Sequence, residues 1–276
     1  MAYDSNLKRV ILFGGFDSKN NNNDTWEWKE SRWTQIADSG PSPRSGHTIV
    51  YDSSTKKVVL FGGSYESGEN LQLLNDTWVL ENNEWTQVAD TGPSVRTYHA
   101  MVYDSDKSRI VLFGGYTGTD AQVADTWEWN GNEWTQISDS GPSPRYSYSM
   151  AYDFLNHVIV LYGGRTPPGT LFGDTWIMED GLWKKEQDMG AGPRYSSAMV
   201  YAGERIVLFG GYSSPVLNGD TWEWNGAQWV QRQNMGAQPR YNHSMAYDSD
   251  RKCVVMYGGF GKIGALGDTW ELKIIP

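Results

Sequence analysis

Six copies of one phrase run through the chain. An apolar run ending in a double glycine recurs at Gly14-Gly15, Gly62-Gly63, Gly114-Gly115, Gly163-Gly164, Gly210-Gly211 and Gly258-Gly259. Each is followed by Asp-Thr-Trp, beginning at Asp24, Asp76, Asp125, Asp174, Asp220 and Asp268. Successive double glycines lie 48, 52, 49, 47 and 48 residues apart. A period near 50 residues with a double glycine marks a blade repeat, a unit that cannot bury its faces alone. The fold class expected is therefore all-β, with six antiparallel four-stranded blades forming one domain over residues 1–276.

Composition narrows the partners. The formal charge is −10, and no basic stripe interrupts it. Phosphate backbones need clustered Lys and Arg, so nucleic acid is not an expected partner. No run of about 18 apolar residues is present, so no membrane partner is expected. The start, Met1-Ala2-Tyr3-Asp4, lacks the charged and apolar regions of a secretory leader, and a cytoplasmic monomer is expected. The single cysteine, Cys253, lies in the apolar run 252–257, where a buried thiol is expected and no internal disulfide can form.

The third copy shows how a repeat is built. Strand a is read over residues 98–103, strand b over 109–113, strand c over 126–129 and strand d from Glu133. Strand b, Ile110-Val111-Leu112-Phe113, is apolar on both faces, as a strand covered on each side by a neighbouring blade must be. The glycines then let the chain turn where a side chain would clash. Strands c and d form a hairpin with tryptophans seven residues apart, as in Trp127/Trp134 and Trp222/Trp229. Asn130-Gly131 and Asn225-Gly226 stand at the midpoints of these two pairs. A two-residue turn there would set Trp127 opposite Trp134 and Trp222 opposite Trp229. The midpoints of the other hairpins, such as Lys29-Glu30, are poorer formers of that turn.

An arginine precedes strand a in five repeats, at Arg44, Arg96, Arg145, Arg194 and Arg240, and in four of them it follows proline. One Arg and one Asp per blade suggest a charge-assisted pair that ties the d–a connection to the sheet. The alternative is a ring of cations around a central opening.

Pro-Arg, the apolar run to Gly-Gly, Asp-Thr-Trp and the second Trp together resemble the kelch repeat family, over essentially the whole chain. The resemblance implies a six-bladed β-propeller with strand a innermost, and a binding role for protein or peptide partners. In an up-down blade, the d–a and b–c connections share a face. The six b–c loops, residues 16–23, 64–75, 116–124, 165–173, 212–219 and 260–267, vary while the scaffold repeats, and such loops usually carry binding. The ligand-binding candidates are the five repeated arginines and Arg165, which directly follows a Gly-Gly. With them stand Tyr98, Tyr146, Tyr148, Tyr195, Tyr241, His47, His99 and His243 near the mouth of the channel. Guanidinium groups beside aromatic rings suit a carboxylate, a carbohydrate or an acidic peptide.

No catalytic residue is assigned, and neither a cofactor nor a metal is expected. There is no His-Glu-x-x-His, no Cys-x-x-Cys and no Gly-x-Gly-x-x-Gly opening a helix. Galactose oxidase shares the kelch propeller but needs a Tyr–Cys crosslink beside copper, and Cys253 is on strand b. The competing readings are a sugar or small-molecule isomerase, like the kelch sialic-acid mutarotases, and a lectin at the channel mouth. Finally, Met1–Asp4 aligns with Met150–Asp153, inside strand a, and the last copy ends about 16 residues short of a full repeat. Residues 1–4 are expected to supply strand a of the first blade, next to an incomplete last blade.

Overall fold

Apolar runs with strand propensity, punctuated by glycine and Asx turns, produce the same antiparallel sheet in each repeat. In the computed structural model, the described residues are all except 69, 119–122, 188–189, 233–235 and 274–276. Among them there is no helix, and so none long and apolar enough to cross a membrane. The fold is that of an all-β, six-bladed β-propeller. The chain divides into two compact units, Met1–Asp139 and Ser140–Pro276, each holding three blade sheets.

In the first unit the strands a to d of the three sheets are Ala2–Asp4, Arg9–Phe16, Asn21–Lys29 and Arg32–Ala37; Thr48–Asp52, Lys57–Ser67, Asn70–Glu81 and Glu84–Ala89; and Ala100–Asp104, Arg109–Phe113, Thr126–Trp129 and Trp134–Ser138. In the second unit they are Ser149–Asp153, Val158–Tyr162, Thr175–Glu179 and Leu182–Gln187; Ala198–Ala202, Arg205–Phe209, Thr221–Trp224 and Trp229–Arg232; and Ser244–Asp248, Cys253–Tyr257 and Thr269–Lys273. Every sheet runs in chain order. The first takes its strand a from Ala2–Asp4, and the sixth has three strands among the described residues, both as the alignment of the copies expects.

The core lies between adjacent sheets. In the first unit Ile11, Phe13, Ile49, Leu60 and Leu80 pack between the first two blades, and Phe61, Met101, Leu112 and Trp129 between the next two. In the second unit Val160, Tyr162, Leu208 and Trp224 play the same part. Cys253 is buried on strand b, and burial pushes its thiol above the ordinary range. The double glycine closes strand b because both residues take positive φ. A Cβ on Gly210 would lie 2.5 Å from the Arg240 carbonyl oxygen, so no side chain fits.

The hairpin register differs from the one expected. Trp134 faces Trp129, not Trp127, and Trp229 faces Trp224, not Trp222. Asn-Gly does not make the two-residue turn here. The Asn130 side chain instead accepts the N–H groups of Asn132 and Glu133, both at 2.9 Å, and holds a wider four-residue turn. Asn225 does the same for Ala227 and Gln228. The two-residue turns occur in the other hairpins, at Glu30-Ser31, Asn82-Asn83 and Asp180-Gly181, where both central residues have positive φ.

The shift gives the two tryptophans separate work. The indole of Trp127 donates to Asp125 at 2.7 Å. Trp134 packs on Trp129 with ring centroids 5.4 Å apart and donates to the hydroxyl of Thr77, in the preceding blade, at 2.9 Å. Trp85 binds Thr25 and Trp229 binds Thr175 in the same way, so the Thr of Asp-Thr-Trp is a blade-to-blade acceptor. Trp134→Phe keeps the packing and removes the bond. It is expected to lower the unfolding free energy by about 1 kcal/mol in urea titrations.

Two of the expected b–c loops are also more ordered than a variable loop. Gly15 and Phe16 pair with Asn22 and Asn21, and Gly63–Ser67 pair with Leu74–Asn70, so the hairpin extends past the glycines.

Candidate functional site: an arginine in a row of tyrosines

The five repeated arginines form one arrangement. Arg44 Nη1 and Nη2 donate to the two carboxylate oxygens of Asp76 at 2.6 and 2.8 Å, and Nη1 also donates to the Gly62 carbonyl at 3.0 Å. Arg96 does this with Asp125 and Gly114, Arg145 with Asp174 and Gly163, Arg194 with Asp220 and Gly210, and Arg240 with Asp268 and Gly258. In Arg44 the remaining donors reach the Ser42 carbonyl and hydroxyl, so all five N–H groups are spent. Arg96 with Ser94 and Arg145 with Ser143 repeat that count. All five side chains are buried. Burial pushes the partner carboxyls of Asp76, Asp125, Asp174 and Asp220 up, but the hydrogen bonds and charge of the arginine outweigh it and leave them low. Asp268 is held down at about 2, chiefly by Arg240.

His99 and His243 are buried and His47 is half-buried, and the three stand edge-on to Phe61, Phe209 and Phe13, with centroids 5.4, 5.5 and 5.3 Å apart. Burial, helped by the nearby arginine charges, lowers His47 and His243 to about 3 and His99 well below the ordinary imidazole range. Tyr148, at the equivalent position in the fourth repeat, is also buried. Among the described residues, no three His, Cys, Asp or Glu side chains form a group able to hold a metal. Tyr98 is exposed and lies outside strand a. Its φ of 56° puts it at the left-handed position that Gly46 occupies one repeat earlier, and its N–H donates to the Gly46 carbonyl at 2.8 Å.

The remaining candidates come together in the second unit. Isolated bridges join the residue after each repeated arginine to the residue after the same repeat's double glycine: Tyr146 to Arg165, Tyr195 to Tyr212, and Tyr241 to Phe260. The d–a connection and the b–c loop are thereby side by side. The six side chains alternate in one row. The Arg165 guanidinium lies 4.8 Å from the Tyr146 ring centroid and 4.1 Å from that of Tyr195, between the two. Tyr195 meets Tyr212 at 5.6 Å, Tyr212 meets Tyr241 at 5.8 Å and Tyr241 meets Phe260 at 5.7 Å.

Arg165 differs from the five scaffold arginines. It has no carboxylate partner among the described residues, and its Nε is buried without a hydrogen bond. Its charge lowers the Tyr195 phenol, but burial dominates and leaves that phenol raised. At the same two positions, the first unit carries Ser45 and Ser64, then Thr97 and Tyr116. Tyr212 and Phe260 were not among the residues expected from sequence, although they follow Gly-Gly at the same offset as Arg165.

The sequence model of the KLHDC2/KLHL20/DRC7 Kelch-repeats domain matches residues 1–211 and, in a second overlapping register, 128–275. Two registers are what a repeated blade produces, and together they span almost the whole chain. With six blade sheets, Gly-Gly strand ends and buried Arg–Asp ties, the chain belongs to this Kelch-repeat propeller family.

Proposed function

We propose that the chain is a non-enzymatic recognition scaffold. It binds a protein or peptide on the face made by the b–c loops and d–a connections, with Arg165 as the anchor for an anionic group. Kelch propellers generally bind protein partners, which supports the class. The observation that carries the reading is the Arg165 guanidinium, stacked between Tyr146 and Tyr195 with no carboxylate partner among the described residues. Stacking fixes the plane of the guanidinium while leaving its edge able to grip a carboxylate with two parallel bonds. Tyr212, Tyr241 and Phe260 continue the row as apolar, partly buried faces for the neighbouring part of the ligand. The fitting ligand is an acidic side chain beside a ring or proline.

The same tyrosine faces favour one second reading, a lectin, because sugars also stack on aromatic rings. A displayed peptide library and a glycan array, each screened with the protein and with Arg165→Ala, separate the two. Enriched peptides that share a carboxylate beside an aromatic or proline residue, and that lose at least tenfold in affinity with Arg165→Ala, are the expected result. The variant should stay within about 1 kcal/mol of the parent in stability, since only two stacking contacts are removed. Glycan binding with no peptide enrichment would transfer the site to the lectin reading. A large loss of stability in Arg165→Ala would make Arg165 part of the scaffold.

A further inference from the structure

The chain carries 33 acidic against 23 basic residues, yet the acids are not spread evenly over its loops. In the second unit, no Asp or Glu occurs in residues 140–148, 165–173, 190–197, 212–219, 236–243 or 260–267, the segments that carry the aromatic row. The aspartates that follow the three b–c loops, Asp174, Asp220 and Asp268, are each held by a scaffold arginine. The b–c loops of the first unit, in contrast, contain Asp17, Glu66, Glu69 and Asp120.

Two cations stand in this acid-free region without a carboxylate partner among the described residues, near the two ends of the row. One is Arg165. The other is Lys262. Phe260, the last ring of the row, opens a short hairpin in which it pairs with Ala265 and Gly261 pairs with Gly264. Lys262 and Ile263 are the two turn residues, and both are exposed. Lys262 is two residues from Phe260, so their Cα atoms are at most about 7 Å apart. Between the cations run Tyr195, Tyr212, Tyr241 and Phe260, with successive centroids 5.6, 5.8 and 5.7 Å apart.

We infer that the partner of this face is an extended peptide with two acidic residues, one held by Arg165 and the other, about five residues along, by Lys262, with proline or aliphatic residues between them. The inference rests on the reading of Arg165 given above and adds a second anchor to it. Length sets the spacing: the cations and rings follow one another over roughly 20 Å, which an extended chain covers in about six residues. The rings set the middle of the peptide. A polyproline-type backbone has no internal hydrogen bonds to give up, and it packs into aromatic-lined grooves. The loops set the charge. With no free carboxylate among them, two acidic groups approach without local repulsion, on a chain whose net charge of −10 repels acidic segments elsewhere. Lysine is a mobile point charge, so the second anchor selects for charge and tolerates either Asp or Glu.

The test starts from short random segments displayed inside a carrier loop, so that no free terminus is offered. They are selected on the whole protein, on Lys262→Ala and on Arg165→Ala. The parent is expected to enrich segments with two acids about four to six positions apart and apolar residues between, and Lys262→Ala segments with one acid. The most enriched parent-selected peptide, capped at both ends, is then followed by fluorescence polarisation. Each of its acids is changed in turn to Gln. One of these changes should weaken binding at least fivefold to the parent and less than twofold to Lys262→Ala, and Lys262→Arg should behave as the parent does. Lys262 occupies an exposed turn, so an unchanged thermal midpoint is expected in both of its variants. Enrichment of single-acid segments by the parent, or equal binding of the two-acid peptide by the parent and Lys262→Ala, would overturn the second anchor. If Arg165→Ala still abolishes binding in that case, the Arg165 reading stands alone. Absence of any acidic segment from the parent's selection would overturn both.

Discussion

Arg96→Ala is expected to destabilise the protein by about 3–5 kcal/mol, measured as the change in unfolding free energy from urea titration. The size follows from what is left behind. Arg96 is buried and gives all five N–H groups to protein acceptors: the Ser94 carbonyl and hydroxyl, the Gly114 carbonyl and both oxygens of Asp125. Removing it strands a carboxylate that keeps the Trp127 indole as a side-chain donor but has lost its cation, and opens a void where the guanidinium packed. Arg96→Lys should recover only part of the loss, because an ammonium cannot meet this set of acceptors in the same plane. Asp24→Asn is the internal comparison. It changes the equivalent residue of a blade in which, among the described residues, no arginine pairs with that aspartate, and keeps an oxygen for the Trp26 indole, so it should cost less than about 1 kcal/mol. If Arg96→Ala and Asp24→Asn cost the same, the Arg–Asp tie does not hold the blade.

The parts of this fold that were legible in the sequence are those that repeat. Gly-Gly, Asp-Thr-Trp and the entering arginine recur because each blade solves one packing problem, and their counts alone suggested the Arg–Asp tie. The hairpin register was misread for a local reason. Asn-Gly is a strong signal for a two-residue turn, but Asn130 and Asn225 use their side chains to cap a wider one, and no residue preference separates those uses. The site was legible only as an irregularity. Arg165 stood out because it alone places a cation after Gly-Gly. Tyr212 and Phe260 share its offset, yet their role depends on bridges to Tyr195 and Tyr241, contacts set by the blade and not by spacing within either segment. The histidines His47, His99 and His243 were read as ligand-binding candidates near the mouth of the channel. That both ring nitrogens of His99 and His243, and Nδ1 of His47, would be buried without partners depends on what packs around them, which the repeat does not state.

Those histidines should make the protein acid-sensitive well above the range of its carboxylates. In the unfolded chain each imidazole takes up a proton near its ordinary value of 6.5, whereas in the folded chain burial keeps His47 and His243 neutral down to about 3 and His99 neutral well below 6.5. The folded pKa is depressed, so their contribution to stability is fully present above pH 6.5. It is lost as pH falls from 6.5 toward 3, where the unfolded state binds protons that the folded state refuses. Each such group adds a slope of about 1.4 kcal/mol per pH unit, so the three together approach about 4 kcal/mol per pH unit below about pH 5.5. The carboxylates act later. Their partner arginines hold Asp76, Asp125, Asp174 and Asp220 below 3.8 and Asp268 at about 2, so their stabilisation fades only as pH drops from 3.8 through those folded values. Urea midpoints at pH 7, 5.5 and 4.5 should therefore fall steeply. A His99→Phe/His243→Phe protein replaces two rings whose nitrogens have no partner and keeps their edge-on contact with Phe61 and Phe209. Its slope should drop to about 1.4 kcal/mol per pH unit, that of His47, the one of these three rings left. A parent protein whose midpoint is level from pH 7 to 4.5 would show that these rings take up protons in the folded state and are hydrated there.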